Sequence, residues 1–464
     1  MPGLLGARSP LELKEVSVNI ENIETAFNFQ RAETGPRGVK LRIKPIPLKV
    51  LFFLKMNYEE LTKSLLTVNS PKAFADLLNE FLPKLDAPHS NFKITDRRLS
   101  YYLSEKRKSN RYFTFSIPKK SGEKRFIHAP APELLFIQQA VKNMLEVMYE
   151  PHSAAFGFCK GKSIVDNAWL HVGRQFVFNI DLKDFFPSIE QGRVWSRLQH
   201  PPFNFSEKNN QLFIANIIAN VCCVQQKVQR YSQELGWQTL NKSVLPQGAA
   251  TSPLFSNIVS ERLDRKLAGL AKSYGLKYSR YADDITFSSD HHVYNENSRF
   301  RRELLNIIRN EGFFINQKKV RIQHQAFKQE VTGLTVNEKV NVNRKWLAEL
   351  KRWLYLWDRY GKEKAAIWYF KQVKEKTGKS YMHIDHFVRH LYGQIHYVGM
   401  VKGKDDPTFK SLFEWISLLN LNKRKKKLKN KSSLLKELDL NAQIELFLSS
   451  FHLSIGGSDS QAQL

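Results

Sequence analysis

The chain has 464 residues and a formal charge of +28. That length accommodates about two to four domains, and the charge exceeds what solubility needs and suits a polyanionic partner whose phosphates shed counterions on binding. No run of about 18 apolar residues occurs, which argues against a membrane span, and residues 1–8 lack a basic leader with an apolar core, so cytoplasmic residence is expected.

In chain order, residues 41–66, with Val50 to Leu54 and Tyr58 to Leu66, read as a short buried segment followed by a helix. Pro71 to Leu82 adds an amphipathic helix with Pro in its first turn. Pro83, Pro88 and Ser90 then loosen the pattern, so residues 1–91 are expected to form a mainly helical accessory region, layered on the main body or tethered to it. Arg97 to Ser104 follows as a helix capped by Thr95 or Asp96.

Phe113 to Ile117 alternates as a strand, Lys119 to Glu123 makes a charged turn, and Lys124 to His128 returns as a second strand. This basic finger can hold Lys119 and Arg125 over a triphosphate, Arg125 as a bidentate clamp and Lys119 as a point charge. Standing alone it would read as a solvent-exposed hairpin. Apolar residues at helical spacing over 132–149 give a helix that backs a sheet. The Phe156 to Ile164 segment lacks the spacing of a nucleotide-hydrolysing P-loop, although its glycines and lysines permit close approach of a nucleic-acid backbone. Helix 163–171 places Asn167 and His171 on one face.

The strand Phe176 to Ile180 delivers Asp181 to a sheet edge, with Asp184 and the pair Phe185-Phe186 just beyond. Asp184 suits the triphosphate side or a structural partner, Phe186 can lie beneath an incoming sugar and exclude a 2′-hydroxyl, and Phe185 reads as core. Cys159 is isolated and Cys222 adjoins Cys223, which supplies neither a zinc site nor a disulfide framework; all three are expected reduced, in or near the core. From Leu245 to Asn257 a Pro-Gln-Gly turn leads into a helix, where Gln247 can meet a nascent base pair. Leu276 to Phe287 then reads as a strand, tight turn and strand with Asp283 and Asp284 at the tip.

Three clustered carboxylates repel one another and need cations. Hard oxygen donors suit magnesium, and two such ions about 3.5–4 Å apart activate a hydroxyl and stabilise a leaving phosphate. Asp181 and Asp283 are the expected ligands, with Asp284 completing the cluster. Helix 300–311 leads to Gly312 to Lys318, where Lys318 or Lys319 can stabilise or protonate leaving pyrophosphate, although a plain charged turn reads equally well.

The remainder of the chain carries Trp346, Leu350, Trp353, Leu354 and Trp357 at helical spacing, then helix 364–376. Such stripes are packing surfaces before they are stacking platforms. His383, His386 and His390 share one helical face without a fourth ligand or a hydrolase motif, so packing or RNA contact is preferred over zinc. Lys423 to Lys429, including Lys425 and Lys426, is a solvated basic face or an RNA clamp between helices 408–420 and 434–449; residues 456–464 read as disordered.

Ile117 to Arg125, Asp181 to Ile189, Leu245 to Asn257, Tyr281 to Asp284 and Gly312 to Lys318 together resemble the fingers and palm motifs of prokaryotic reverse transcriptases. Asn167-Ala168-Trp169-Leu170-His171 and Val331-Thr332-Gly333 resemble two additional motifs of the retron branch, and the likeness covers about residues 92–400. The resemblance implies an α+β right-hand polymerase with fingers, palm and helical thumb, divided at 92–175 (fingers and start of palm), 176–330 (palm), 331–421 (thumb and RNA-contacting region) and 422–464 (basic extension). It implies RNA-directed DNA synthesis with two Mg2+ ions on Asp181, Asp283 and Asp284, and dNTPs held by Lys119, Arg125, Asp184, Phe186, Gln247 and Lys318. It implies that Asn167, His171, Thr332, Gly333 and Arg344 engage a cognate structured noncoding RNA, with an RNA–DNA hybrid or cDNA as product, in antiphage defence; Lys425 and Lys426, beyond the likeness, are expected RNA contacts by their charge. A separate effector protein and homo-oligomerisation through the accessory region are compatible with this reading. The alternative within the same chemistry is a defence-associated enzyme that primes on protein or makes repetitive DNA with little template input; a non-catalytic RNA scaffold is the reading from another class.

Overall fold

Each early helix begins where a short polar side chain takes up the first unpaired backbone N–H groups. The computed structural model describes residues 57–83, 91–104, 111–118, 122, 124–232, 234–378 and 383–428. Asn57 opens α1 (Tyr58–Thr67) in a reciprocal box with Glu60. Ser70 caps α2 (Pro71–Asn79), whose Pro stands in the first turn, and Thr95 is the cap of α3 (Asp96–Leu103). Leu61, Leu65, Phe74 and Leu78 are buried in the main core, and Gln211 donates to the Leu65 carbonyl at 2.6 Å. From residue 57 onward, therefore, this region is packed on the main body.

β1 (Tyr112–Pro118) and β2 (Lys124–Pro130) form an antiparallel hairpin in which Ile117 faces Arg125. α4 (Pro132–Met148) buries Leu134, Ile137, Val141 and Met144. There follow α5 (Ile164–Trp169), β3 (Phe176–Asp181), α6 (Gln191–Leu198), α7 (Leu212–Cys222) and a second hairpin, β4 (Val224–Ser232) with β5 (Gly236–Val244). α8 (Ser252–Ser273) leads into β6 (Lys277–Tyr281) and β7 (Asp284–Ser289); α9 (Arg299–Asn310) and β8 (Arg321–His324) come next.

The central sheet is antiparallel, in the order β6-β7-β3-β8. Phe178 and Ile180 of β3 join Ile285, Phe287 and Phe300 in the main core. Val177, on the other face, joins Ala168, Val331, Leu334 and Val336. A strand buried on both faces has no solvent side to mark with polar residues, which is why β3 reads as an apolar run broken before Asp181 only by Asn179, whose amide donates to Thr286 Oγ1 at 3.0 Å. The second cluster is closed by β9 (Glu330–Val331) and β10 (Leu334–Thr335), whose turn residues Thr332 and Gly333 have φ of 47° and 81°. Positive φ at both central positions is the two-residue hairpin geometry that matches strand twist. The three cysteines are buried and free, and burial pushes the Cys222 thiol up to about 12.

The C-terminal helices are α10 (Arg344–Tyr360), α11 (Lys362–Thr377), α12 (Ile384–Lys402) and α13 (Pro407–Leu428). They share a separate core in which Leu350, Trp353, Leu354 and Trp357 meet Phe387, Leu391, Ile395 and Ile416. The tryptophan stripe is thus a packing surface along most of its length. A Cβ on Gly399 would lie 2.7 Å from the Phe409 ring, so glycine permits the close approach of α12 and α13. His390 lies against Tyr369, ring centres 5.4 Å apart. Among the described residues no helix is long and apolar enough to cross a membrane. Val50 to Leu54, Lys119 and the expected helix 434–449 lie outside the described residues, as do the side chains of Lys425 and Lys426, whose backbone belongs to α13.

Candidate active site

Backbone register brings the acidic residues together. Asp181, the last residue of β3, faces Asp284, the first of β7, and the Leu182 amide donates to the Asp283 carbonyl at 3.0 Å. All three carboxylates therefore stand at one end of the sheet. Burial first, and Asp181 second, raise the Asp283 pKa. Asp284 has a solvent-accessible tip in dense surroundings; burial, then Asp283 and Asp181, push its carboxyl up to about 6. Lys319 opposes this rise: its Nζ lies 2.8 Å from Asp181 Oδ2. Asn316 donates to the other oxygen, Oδ1, at 3.2 Å.

Burial first and mutual repulsion second disfavour charge on these carboxyls, and a cation at this end of the sheet would offset both. The donor set is all oxygen, as magnesium requires. Among the described residues no three His, Cys, Asp or Glu side chains are already gathered closely enough to hold an ion; Asp181 has one partner on each oxygen, so a cation binding there would compete with the Lys319 ammonium for Asp181 Oδ2. Of the two lysines named at this turn, it is Lys319 that reaches the carboxylates, whereas Lys318 is exposed on the same 3-10 turn, Gln317–Lys319.

The Asp283 turn is held from beneath by a buried ionic network. Arg280 is fully buried and pairs with Asp264 of α8 through Nε to Oδ1 at 2.7 Å and Nη2 to Oδ2 at 2.6 Å. Its Nη1 donates to the Ala282 carbonyl at 3.1 Å, and Nη2 reaches Asn257 Oδ1 at 3.1 Å. Burial alone would lower the guanidinium pKa, but Asp264 outweighs it and the net shift is upward. Ala282 has φ 56°, a left-handed conformation that costs a non-glycine residue energy unless neighbours hold it. Gly157 lies against it, where an added Cβ would sit 2.4 Å from the Ala282 nitrogen, and Asn257 Nδ2 donates to the Gly157 carbonyl at 3.0 Å. A lone Arg in the strand Lys277–Tyr281 was the available sign of this network.

Around the carboxylates, Phe185 is buried and Phe186 half-buried, with the Phe186 ring 6.0 Å from Phe158. Asp184 is exposed at φ 47°. Gln247 accepts through its backbone carbonyl from the His128 amide at 2.8 Å. A Cβ on Gly248 would lie 2.8 Å from Ile127, so glycine lets the β1–β2 hairpin rest on this loop. Arg125 is exposed on β2 and close enough to lower the pKa of Asp283.

The expected RNA-contacting residues divide. Asn167 and His171 are buried, so neither side chain presents itself to RNA; His171 Nδ1 and Nε2 each lie 2.7 Å from a serine hydroxyl, Ser288 and Ser279 respectively. The two serines stand on β7 and β6, which makes His171 a cross-brace on the back of the sheet. Thr332 and Gly333 form the β9–β10 turn, and Thr332 Oγ1 lies 3.4 Å from the Ile164 carbonyl. Arg344, exposed at the start of α10, lines a cleft of about 950 Å³ with Phe327, Lys328, Asn343, Lys345 and Lys402.

Burial depresses the His171 pKa to about 3, with Arg174 adding to the effect. The unfolded chain therefore takes up a proton near 6.5 that the folded chain refuses, and stability present above that pH is lost as pH falls. Between pH 7.5 and 5 this amounts to about 2 kcal/mol, set by the unfolded value alone. In urea titrations at both pH values, His171→Gln is expected to flatten the pH dependence by that amount, whatever its absolute cost; an unchanged slope would mean that the imidazole is charged in the fold.

A family model described as reverse transcriptase (RNA-dependent DNA polymerase) matches residues 117–347. The retron Mx65 reverse transcriptase of Myxococcus xanthus is 37% identical over 248 residues, 53% of this chain and 55% of that enzyme. The retron Ec86 reverse transcriptase of Escherichia coli is 32% identical over 292 residues, 60% of this chain and 82% of that enzyme. The retron Mx162 reverse transcriptase of Myxococcus xanthus is 33% identical over 234 residues, 49% and 47% of the two chains. The chain thus spans about half the length of the two Myxococcus enzymes and most of the Escherichia coli one.

Proposed function

The chain belongs to the retron-type reverse transcriptase family of RNA-directed DNA polymerases, and from that premise we propose that it copies a structured cognate noncoding RNA into DNA, in antiphage defence. The observation that carries the reading is the pairing of Asp181 with Asp284 across β3 and β7, with Asp283 in the turn held by Arg280. Asp181, Asp283 and Asp284 would hold two Mg2+ ions. Bound there, the ions would activate the attacking hydroxyl and stabilise the leaving pyrophosphate.

The chain's own groups do the rest. Arg125, together with Lys119, clamps the triphosphate of a dNTP, and Asp184 borders its phosphates. With a cation on Asp181, the Lys319 ammonium would be free to meet charge developing on pyrophosphate; Lys318 is exposed on the same turn. The loop carrying Gln247 bears on the nascent base pair. Fingers, palm and thumb follow the divisions at residues 92–175, 176–330 and 331–421, and the cleft at Arg344 faces RNA. An RNA–DNA hybrid or cDNA is the product, and a separate effector chain can act on it. The test is purification from the native cell with sequencing of bound RNA and attached DNA, beside extension of a primed RNA template with dNTPs. Absence of both a preferred RNA and any DNA product would overturn the reading.

Phe186 is the proposed sugar gate. Replacing it with Ala is expected to raise incorporation of ribonucleotides relative to deoxynucleotides by roughly 10- to 100-fold, the range over which a steric pocket discriminates small groups. The check is steady-state incorporation of each nucleotide on one template; unchanged selectivity rejects the role.

A further inference from the structure

The β4–β5 hairpin has two unlike faces. On the inner face Val228 and Val244 are buried, and Arg230 is tied down by Glu190 Oε1 and the Pro187 carbonyl, each at 2.8 Å. The outer face carries the cross-strand pairs Tyr231 with Trp237, Gln229 with Thr239, and Lys227 with Asn241, and all six residues are exposed. Neither nine-residue strand contains an Asp or Glu.

At the hairpin tip this face reaches the catalytic loops. The Trp237 ring lies 5.1 Å from Phe314, tilted by 61°, and 5.6 Å from Tyr231, tilted by 62°. Lys183, two residues beyond Asp181, places its ammonium 4.0 Å from the centre of the Trp237 ring and donates its amide to the Phe314 carbonyl at 2.7 Å. At the other end, β5 runs directly into the loop that carries Gln247.

Packing explains why the rings touch. It does not explain why Tyr231 and Trp237 leave 50% and 46% of their surfaces open, since large rings placed only to anchor a hairpin gain by full burial. The exposed surfaces of the two rings, set at 62° to each other, are the notch on which one unpaired base can stack. Beyond it, on strands without Asp or Glu although their turn holds the exposed Glu234, Gln229 donates to Thr239 Oγ1 at 2.7 Å, and these groups with Asn241 keep donors and acceptors for sugar and base edges, where the 2′-hydroxyl both donates and accepts. We propose that the outer face of β4–β5 is a docking surface for single-stranded RNA beside the catalytic carboxylates, one base stacking in the Tyr231–Trp237 notch and the adjoining ribose meeting Gln229, Thr239 and Asn241. This rests on the reading of the chain as an RNA-copying polymerase. Because only Lys227 on this face and Lys183 at the notch are cationic, its contribution depends on stacking more than on phosphate charge.

The test is fluorescence anisotropy of the full chain with a labelled, unstructured 12-nucleotide RNA at about 0.1 and 0.3 M salt. Tyr231→Ala/Trp237→Ala is expected to bind about tenfold more weakly at both salts, the scale of losing one stacked base, whereas Tyr231→Phe/Trp237→Phe stays within about threefold because a ring remains at each position. On DNA of the same sequence the loss is expected to be smaller. The proposal is overturned if the Ala pair binds RNA like wild type or if the Phe pair loses as much as the Ala pair. An equal loss on DNA overturns the choice of RNA. Should the Ala pair melt early, Thr239→Val provides the second variant: a loss on RNA exceeding that on DNA supports the surface, and equal binding by wild type and variant overturns it. Extension of a primed RNA template by wild type is measured in parallel. Binding unaffected by the substitutions with extension present defeats this inference alone, and no extension defeats the polymerase reading.

Discussion

A chain carrying Asp283→Asn and Asp284→Asn is expected to make DNA at least about 10³-fold more slowly than wild type, a loss of about 4 kcal/mol of transition-state stabilisation. Each Asn keeps the shape of the Asp it replaces and removes a negative charge, so the effect falls on cation binding while the β6–β7 turn keeps its outline. The pKa shifts also set the sign of the stability change. Asp284 is pushed up to about 6 and Asp283 is raised, so between the unfolded carboxylate value and the raised folded one the fold binds protons that the unfolded chain releases. Their ionisation therefore opposes folding as pH rises through that window. At pH 7 the double variant should melt no earlier than wild type, which separates lost chemistry from lost structure. Normal magnesium-dependent synthesis by the folded double variant would sink the assignment of these carboxylates.

Much of this arrangement was legible in local pattern. The apolar run of β3 ending in Asp181, and the short alternation on either side of Asp283 and Asp284, reveal strand tips because strand burial and turn chemistry are written in adjacent residues. The tryptophan stripe of α10 was legible as packing for the same reason. Longer-range features left no comparable mark. Arg280 and Asp264 are sixteen residues apart on a strand and a helix, and no periodicity pairs them. His171 looked like a surface recognition residue because its serine partners lie more than a hundred residues downstream. The choice between Lys318 and Lys319 depends on the direction of one 3-10 turn. The β4–β5 hairpin escaped notice because its inner face mixes Val228 and Val244 with Gln226, Arg230 and Lys242 while its outer face carries Tyr231 and Trp237, so the period-two apolar signal that marks a half-buried strand is weak there.

The second large effect is expected at Arg280. Arg280→Met should remove about 3–5 kcal/mol of folding stability, the usual consequence of leaving a buried charge, here Asp264, without its partner. Tyr278 also donates to Asp264 Oδ1, at 2.7 Å, and cannot replace a guanidinium that engages both carboxylate oxygens. The double variant Arg280→Met/Asp264→Leu, which removes both charges, should recover most of that stability, because a buried ion pair exchanged for apolar side chains of similar size is often neutral. Activity need not return with it. The Nη1 bond to the Ala282 carbonyl has no counterpart in Met, and without it the left-handed turn carrying Asp283 is left to its contact with Gly157 and to the Leu182 amide on the Asp283 carbonyl. The double variant is therefore expected to fold nearly as well as wild type yet require several-fold more Mg2+ for half-maximal extension. Magnesium titrations paired with thermal melts check this. Recovery of both stability and the wild-type magnesium requirement would show that Arg280 serves the core alone, whereas recovery of stability without the magnesium requirement assigns it the positioning of the catalytic turn.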